Sequence, residues 1–138
     1  MAHPHREVVV GENGRGRYQQ TVSVGPHQLI ADEPESIGGT DAGPAPFDYL
    51  LAALGACTSM TLRMYAELKK LPLESVSVTL THEKIDVDGG GKQDRITRRI
   101  TLNGDLTPEQ RHRMLEIANR CPVHRTLTGN LEIDSELA

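Results

Sequence analysis

The chain has 138 residues, enough for one domain and short for two, so a single domain over residues 1–138 is expected. A quarter of it is charged, 37% is hydrophobic, and the net charge of −4 comes from well-mixed signs. That is an ordinary globular composition, without the one-sided basic footprint of a nucleic-acid binder.

Residues 1–10 lack the apolar stretch of about 7–15 residues that a secretory signal needs. The longest apolar-rich run, 49–57, falls far short of the roughly 20 residues that span a bilayer. A cytoplasmic location and no membrane partner are therefore expected. Three short extended segments come first, 6–11, 17–24 and 27–32, with turn residues Asn13-Gly14 and Gly25-Pro26 between them. A loop rich in Gly, Pro and Asp follows over 33–46.

The segment 46–70 is the clearest helix. Leu50, Leu54, Cys57, Thr61 and Met64 recur at steps of three and four, which predicts one common face. Leu51, Ala52, Ala53 and Ala56 are apolar as well, so the helix is expected to be central and buried on more than one side. Pro46 suits the first turn and Pro72 lies just past the end. Val76, Val78 and Leu80 then alternate with polar residues, as do Ile96, Ile100 and Leu102, which predicts a hairpin around Gly89-Gly90-Gly91. Arg98 interrupts the apolar face, and the cluster Arg95, Arg98, Arg99 reads as a solvated strand face.

Thr107-Pro108-Glu109-Gln110 announces a second helix through a capping box. Met114, Ile117, Ala118 and Cys121 follow on one face, with Pro122 as the stop. A last strand is expected over 126–134. The order β-β-β-α-β-β-α-β describes an α+β fold with mostly antiparallel pairing.

Cys57 and Cys121 are the only cysteines. They fit four readings. Free Cys is a common core residue. A disulfide closing a loop of roughly 65 residues would contribute about 4 kcal/mol, although reducing compartments seldom keep one. Zinc on Cys121-Pro-Val-His124 would need ligands from afar, such as His27 or His82. Redox catalysis is the fourth. Cys121 at a helix C-terminus and Cys57 in mid-helix apolar surroundings both disfavour a thiolate. A reactive Cys57 therefore calls for a cation brought by tertiary structure, naturally an arginine.

The stretch GPAPFDYLLAALGACTSMTLRMYA, 43–66, resembles the central helix of the OsmC/Ohr family, the osmotically inducible and organic hydroperoxide resistance proteins. LEIANRCPVHRTL, 115–127, is similar to that family's second cysteine segment. HQLIADEP, 27–34, and GDLTPEQRHRML, 104–115, resemble an OsmC-like branch. The two cysteines stand 64 positions apart in the expected order.

The resemblance implies an intertwined homodimer, which would also complete a core with one Phe, three Tyr and no Trp. It implies a thiol-dependent peroxidase acting on organic hydroperoxides. Cys57 would attack and become a sulfenic acid, and Cys121 would resolve it to a disulfide. A dithiol, either a small molecule or a lipoyl-type protein, would reduce that bridge, and no metal, haem or flavin is implied.

Full ionisation of a thiol gains only about thirtyfold near pH 7, about 2 kcal/mol, so the arginine must also stabilise the breaking O–O bond. By resemblance it comes from the N-terminal hairpin, with Arg15 favoured over Arg17, and Arg125 reads as a surface charge. The family's Ohr branch carries a Glu ten residues before the attacking cysteine. Here Phe47 holds that position, and Asp48 is the candidate substitute. Phe47, Leu50, Leu54 and Met64 are expected to line an apolar substrate pocket, and His124 is a candidate base for Cys121.

Overall fold

Val8–Glu12 (β1), Gln20–Val24 (β2) and His27–Ala31 (β3) form an antiparallel sheet, in the order β1-β2-β3, in a computed structural model that describes residues 6–138. The β2–β3 connection is the two-residue turn Gly25-Pro26 between the paired Val24 and His27. Gly25 takes φ +54°, open to a residue without Cβ, as a tight hairpin with glycine first requires. The chain divides into two compact units after Leu50, and this sheet belongs to the first.

The loop after β3 is fastened by one buried carboxylate. Asp32 accepts from the Glu33 N–H at 2.8 Å, the Thr40 hydroxyl at 2.7 Å, the Thr40 N–H at 3.2 Å and the Ala42 N–H at 3.1 Å. The Thr40 hydroxyl first, then these amides, hold its carboxyl below the usual carboxylate range against the opposing effect of burial. The Tyr49 hydroxyl donates to the Ile30 carbonyl.

Pro46–Lys69 (α1) begins where the first-turn proline allows. In the second unit α1 turns a stripe of Leu54, Thr58, Leu62 and Ala66 inward, at steps of four. The expected face through Cys57, Thr61 and Met64 is rotated: Cys57 and Thr61 are half-buried and Met64 is exposed. Apolar residues all round this part of the helix leave its orientation to its neighbours.

Leu73–Asp86 (β4) and Lys92–Gly104 (β5) pair as the expected hairpin, with Val76 opposite Leu102, Val78 opposite Ile100 and Leu80 opposite Arg98. A Cβ on Gly55 would lie 2.7 Å from Leu80 Cδ1, so glycine allows the hairpin to approach α1 closely. Pro108–Ala118 (α2) starts with the predicted capping box: Gln110 N–H donates to Thr107 Oγ1 at 3.1 Å, and Thr107 N–H to Gln110 Oε1 at 2.9 Å. Leu62, Ala66, Leu73, Leu106, Met114, Ile117 and Ala118 form the core of this unit.

The last part of the chain departs from expectation. Helix α2 ends at Ala118, and Pro122–Thr128 forms a short helix (α3) instead of a strand starting at residue 126. Pro122 both blocks continuation of α2 and supplies the preset φ that opens α3. Residues 129–138 carry no regular element. The α+β class and antiparallel pairing agree with the sequence, with a helix in the place of the eighth element.

Candidate functional site

Cys57 and Cys121 meet within the second unit. Their thiols lie close enough to influence each other, and both are free of a disulfide. Cys57, on α1, is half-buried, whereas Cys121 has no exposed surface. Burial pushes the Cys57 thiol up, and the adjacent Cys121 thiol adds to this. The Val123 N–H and the Thr61 hydroxyl pull the other way.

Cys121 is not at a helix C-terminus. The residue before a proline is biased to extended backbone, and Cys121 takes φ −63°, ψ 141° as the N-cap of α3. Its sulfur accepts from the His124 N–H at 3.4 Å. The expected helix C-terminus is thus replaced by a helix N-terminus, because Pro122 starts a helix there. The His124 ring is half-buried, and burial followed by the Arg98 charge pushes its pKa down, which favours the neutral imidazole.

Arg98 corrects the reading of its strand as a solvated face. It is half-buried, and its guanidinium donates to Thr58 Oγ1 at 2.8 Å, the Ala118 carbonyl at 3.1 Å and Asn119 Oδ1 at 2.8 Å. Arg95, by contrast, faces solvent beside Glu83. Thr58 is fully buried, donates to the Leu54 carbonyl at 2.7 Å and lies 3.8 Å from Cys121 Sγ. Sequence reasoning missed Arg98, Thr58 and Asn119 as neighbours of the cysteines. The available signal was Arg98 itself, a charge at an inward position of an alternating strand, which must find partners.

The other candidates occupy varied settings. Arg15 is exposed, and its backbone N–H donates to Asn13 Oδ1 at 2.9 Å in the β1–β2 connection. Arg17 lies over the Tyr18 ring, 5.0 Å from its centroid. Asp48 is exposed and accepts from the Ala45 N–H at 2.9 Å, reaching back across the start of α1 as an N-terminal cap does. These three belong to the first unit. Phe47 is exposed, Leu50 half-buried and Leu54 buried. Met64 lines an open groove of about 540 Å³ with Met60, Arg63, Glu67 and Val76. Arg125 is exposed on α3, as expected of a surface charge.

Among the described residues, no three His, Cys, Asp or Glu side chains gather as a metal site, and no helix is long and apolar enough to cross a membrane. The site offers two adjoining thiols, one partly open and one closed, with a fixed cation behind the closed one. Such a pair can be oxidised to a bridge and reduced again.

Solved structures of similar fold are numerous. An organic hydroperoxide resistance protein OsmC from Legionella pneumophila is 21% identical with TM-score 0.70, covering 96% of this chain and 95% of its own. An OsmC-like protein from Mycoplasma pneumoniae is 20% identical with TM-score 0.77, at 93% and 90% coverage. The organic hydroperoxide resistance protein OhrB of Bacillus subtilis is 19% identical with TM-score 0.63, covering 93% of each chain. At these identities the likeness shows a shared fold. No curated protein matches the chain. The family model for OsmC-like protein matches residues 39–136, which include both cysteines and most of the chain, and the chain therefore belongs to the OsmC-like protein family.

Proposed function

We propose that this protein is a cytoplasmic, homodimeric thiol peroxidase that reduces organic hydroperoxides to alcohols. The observation that carries the proposal is the contact between a half-buried Cys57 and a fully buried Cys121. Family membership and the hydroperoxide-resistance names of similar structures support it. The Cys57 thiolate attacks the terminal peroxide oxygen, the O–O bond breaks, and the alkoxide leaves with a proton as an alcohol. Cys121 then attacks the Cys57 sulfenic acid, releasing water and forming the bridge. A dithiol returns both sulfurs to thiols. In this proposal Arg15 polarises the peroxide, Asp48 orients that arginine, and Phe47, Leu50 and Leu54 hold the organic tail.

Reduced protein mixed with one equivalent of cumene hydroperoxide is expected to form the Cys57–Cys121 bridge rapidly and release the alcohol, as read by intact mass and product analysis. Thiols still free after prolonged exposure would reject the proposal. A second reading, a ligand-binding or redox-sensing module with little turnover, is favoured by the upward shift of the Cys57 thiol and by Phe47 at the family's Glu position. It predicts sluggish turnover together with tight retention of a small hydrophobic ligand.

A further inference from the structure

Arg98 is a charged residue held inside the second unit by contacts that lead to one sulfur. Its guanidinium spans from β5 to Thr58 on α1 and to the Ala118 carbonyl and Asn119 side chain at the end of α2. Thr58 Oγ1 accepts from Arg98 and has a single proton, which it gives to the Leu54 carbonyl. In that arrangement the Cys121 S–H is the donor across the 3.8 Å contact. If Cys121 becomes a thiolate, the Thr58 hydroxyl can turn its proton to the sulfur. The permanent Arg98 charge makes that hydroxyl a stronger donor. The His124 N–H already points at the same sulfur.

We infer that Arg98 and Thr58 are positioning residues that make Cys121 the departing sulfur when a dithiol opens the Cys57–Cys121 bridge, so that the reductant attacks Cys57. The inference rests on the proposed redox cycle, of which it describes the second half. Access points the same way, because Cys57 is half-buried while Cys121 is closed to solvent. One reductant thiolate bonds to Cys57 Sγ, the Sγ–Sγ bond breaks, and its electron pair leaves on Cys121. The second reductant thiol then displaces Cys57. The dithiol loses two electrons and two protons, and each protein sulfur takes up one proton.

The test forms the bridge with diamide, so it does not depend on peroxide turnover. Limiting 2-mercaptoethanol is added, the reaction is quenched with acid, and the adduct is located by peptide mass mapping. The adduct is expected on Cys57, with Cys121 free. Thr58→Val and Arg98→Met are expected to slow bridge opening about tenfold, as loss of a hydrogen bond to a charged sulfur would. Thr58→Ser, which keeps the hydroxyl, is expected to retain the wild-type rate. An adduct mainly on Cys121, no bridge at all, or wild-type opening in Thr58→Val would overturn the inference. Failure of the peroxide reaction alongside the expected adduct would reject the peroxidase and leave this assignment of Cys121 standing.

Discussion

The two thiols differ in what surrounds them, and the difference sets what each can do. Desolvation and the neighbouring thiol push Cys57 up, so little of it is ionised at neutral pH. Thiolate is the attacking species. In single-turnover experiments the rate of Cys57 oxidation is therefore expected to rise about tenfold per pH unit below its pKa, levelling off only above the ordinary thiol range. A plateau near neutral pH would mean that a cation overrides burial. Cys121→Ser is expected to complete one turnover and accumulate the Cys57 sulfenic acid, detectable by dimedone labelling. Arg15→Ala should slow that first oxidation by about 10²–10³, the usual effect of losing a group that stabilises transition-state charge. Arg17, stacked on Tyr18, serves as the comparison, and an equal loss in Arg17→Ala would remove Arg15 from its assigned role.

At the scale of elements, close approach of β4 to α1 depends on Gly55. An added methyl meets only the tip of the Leu80 side chain, and alanine is the better helix former by about 1 kcal/mol. Gly55→Ala is therefore expected to change stability by less than about 1 kcal/mol, the two effects offsetting. Gly55→Val presses a branched side chain into the same space and should cost about 1–3 kcal/mol in urea unfolding. A neutral valine variant would show that the hairpin can withdraw. Much of this architecture was legible in the sequence, because its signals are local: the alternation through Val76, Val78 and Leu80, the Thr107 capping box, and the prolines flanking α1. The inward stripe of α1 was not, since apolar residues on several sides leave that choice to tertiary packing. Residues 126–134 read as a strand and Pro122 only as a stop, yet Pro122 nucleates α3 and converts the cysteine into its cap. The cysteine pair was legible as a motif. The Arg98 and Thr58 surroundings were not, because they arise from pairing across forty positions of chain.

For the whole molecule, the decisive quantity is apolar surface left uncovered. In the first unit β1 lies at a sheet edge, with Val8, Val9 and Val10 all more than half exposed, at 60%, 63% and 55%. An exposed apolar edge strand is a template for pairing. In the second unit Met60 and Leu68 on α1 are 61% and 77% exposed, and Met60 borders the open groove with Met64. Apolar patches on both units, with few aromatics to enlarge either core, support the proposed homodimer. Sedimentation at micromolar concentration is expected to give twice the 15.1 kDa chain mass, and the urea midpoint should rise with protein concentration, because association stabilises the folded state by mass action. Val9→Asp and Met60→Asp place a charge on these surfaces and should each shift the equilibrium toward monomer. A wild-type chain that sediments as a monomer with a concentration-independent midpoint would refute the dimer, and any peroxidase turnover it showed would then belong to the single chain.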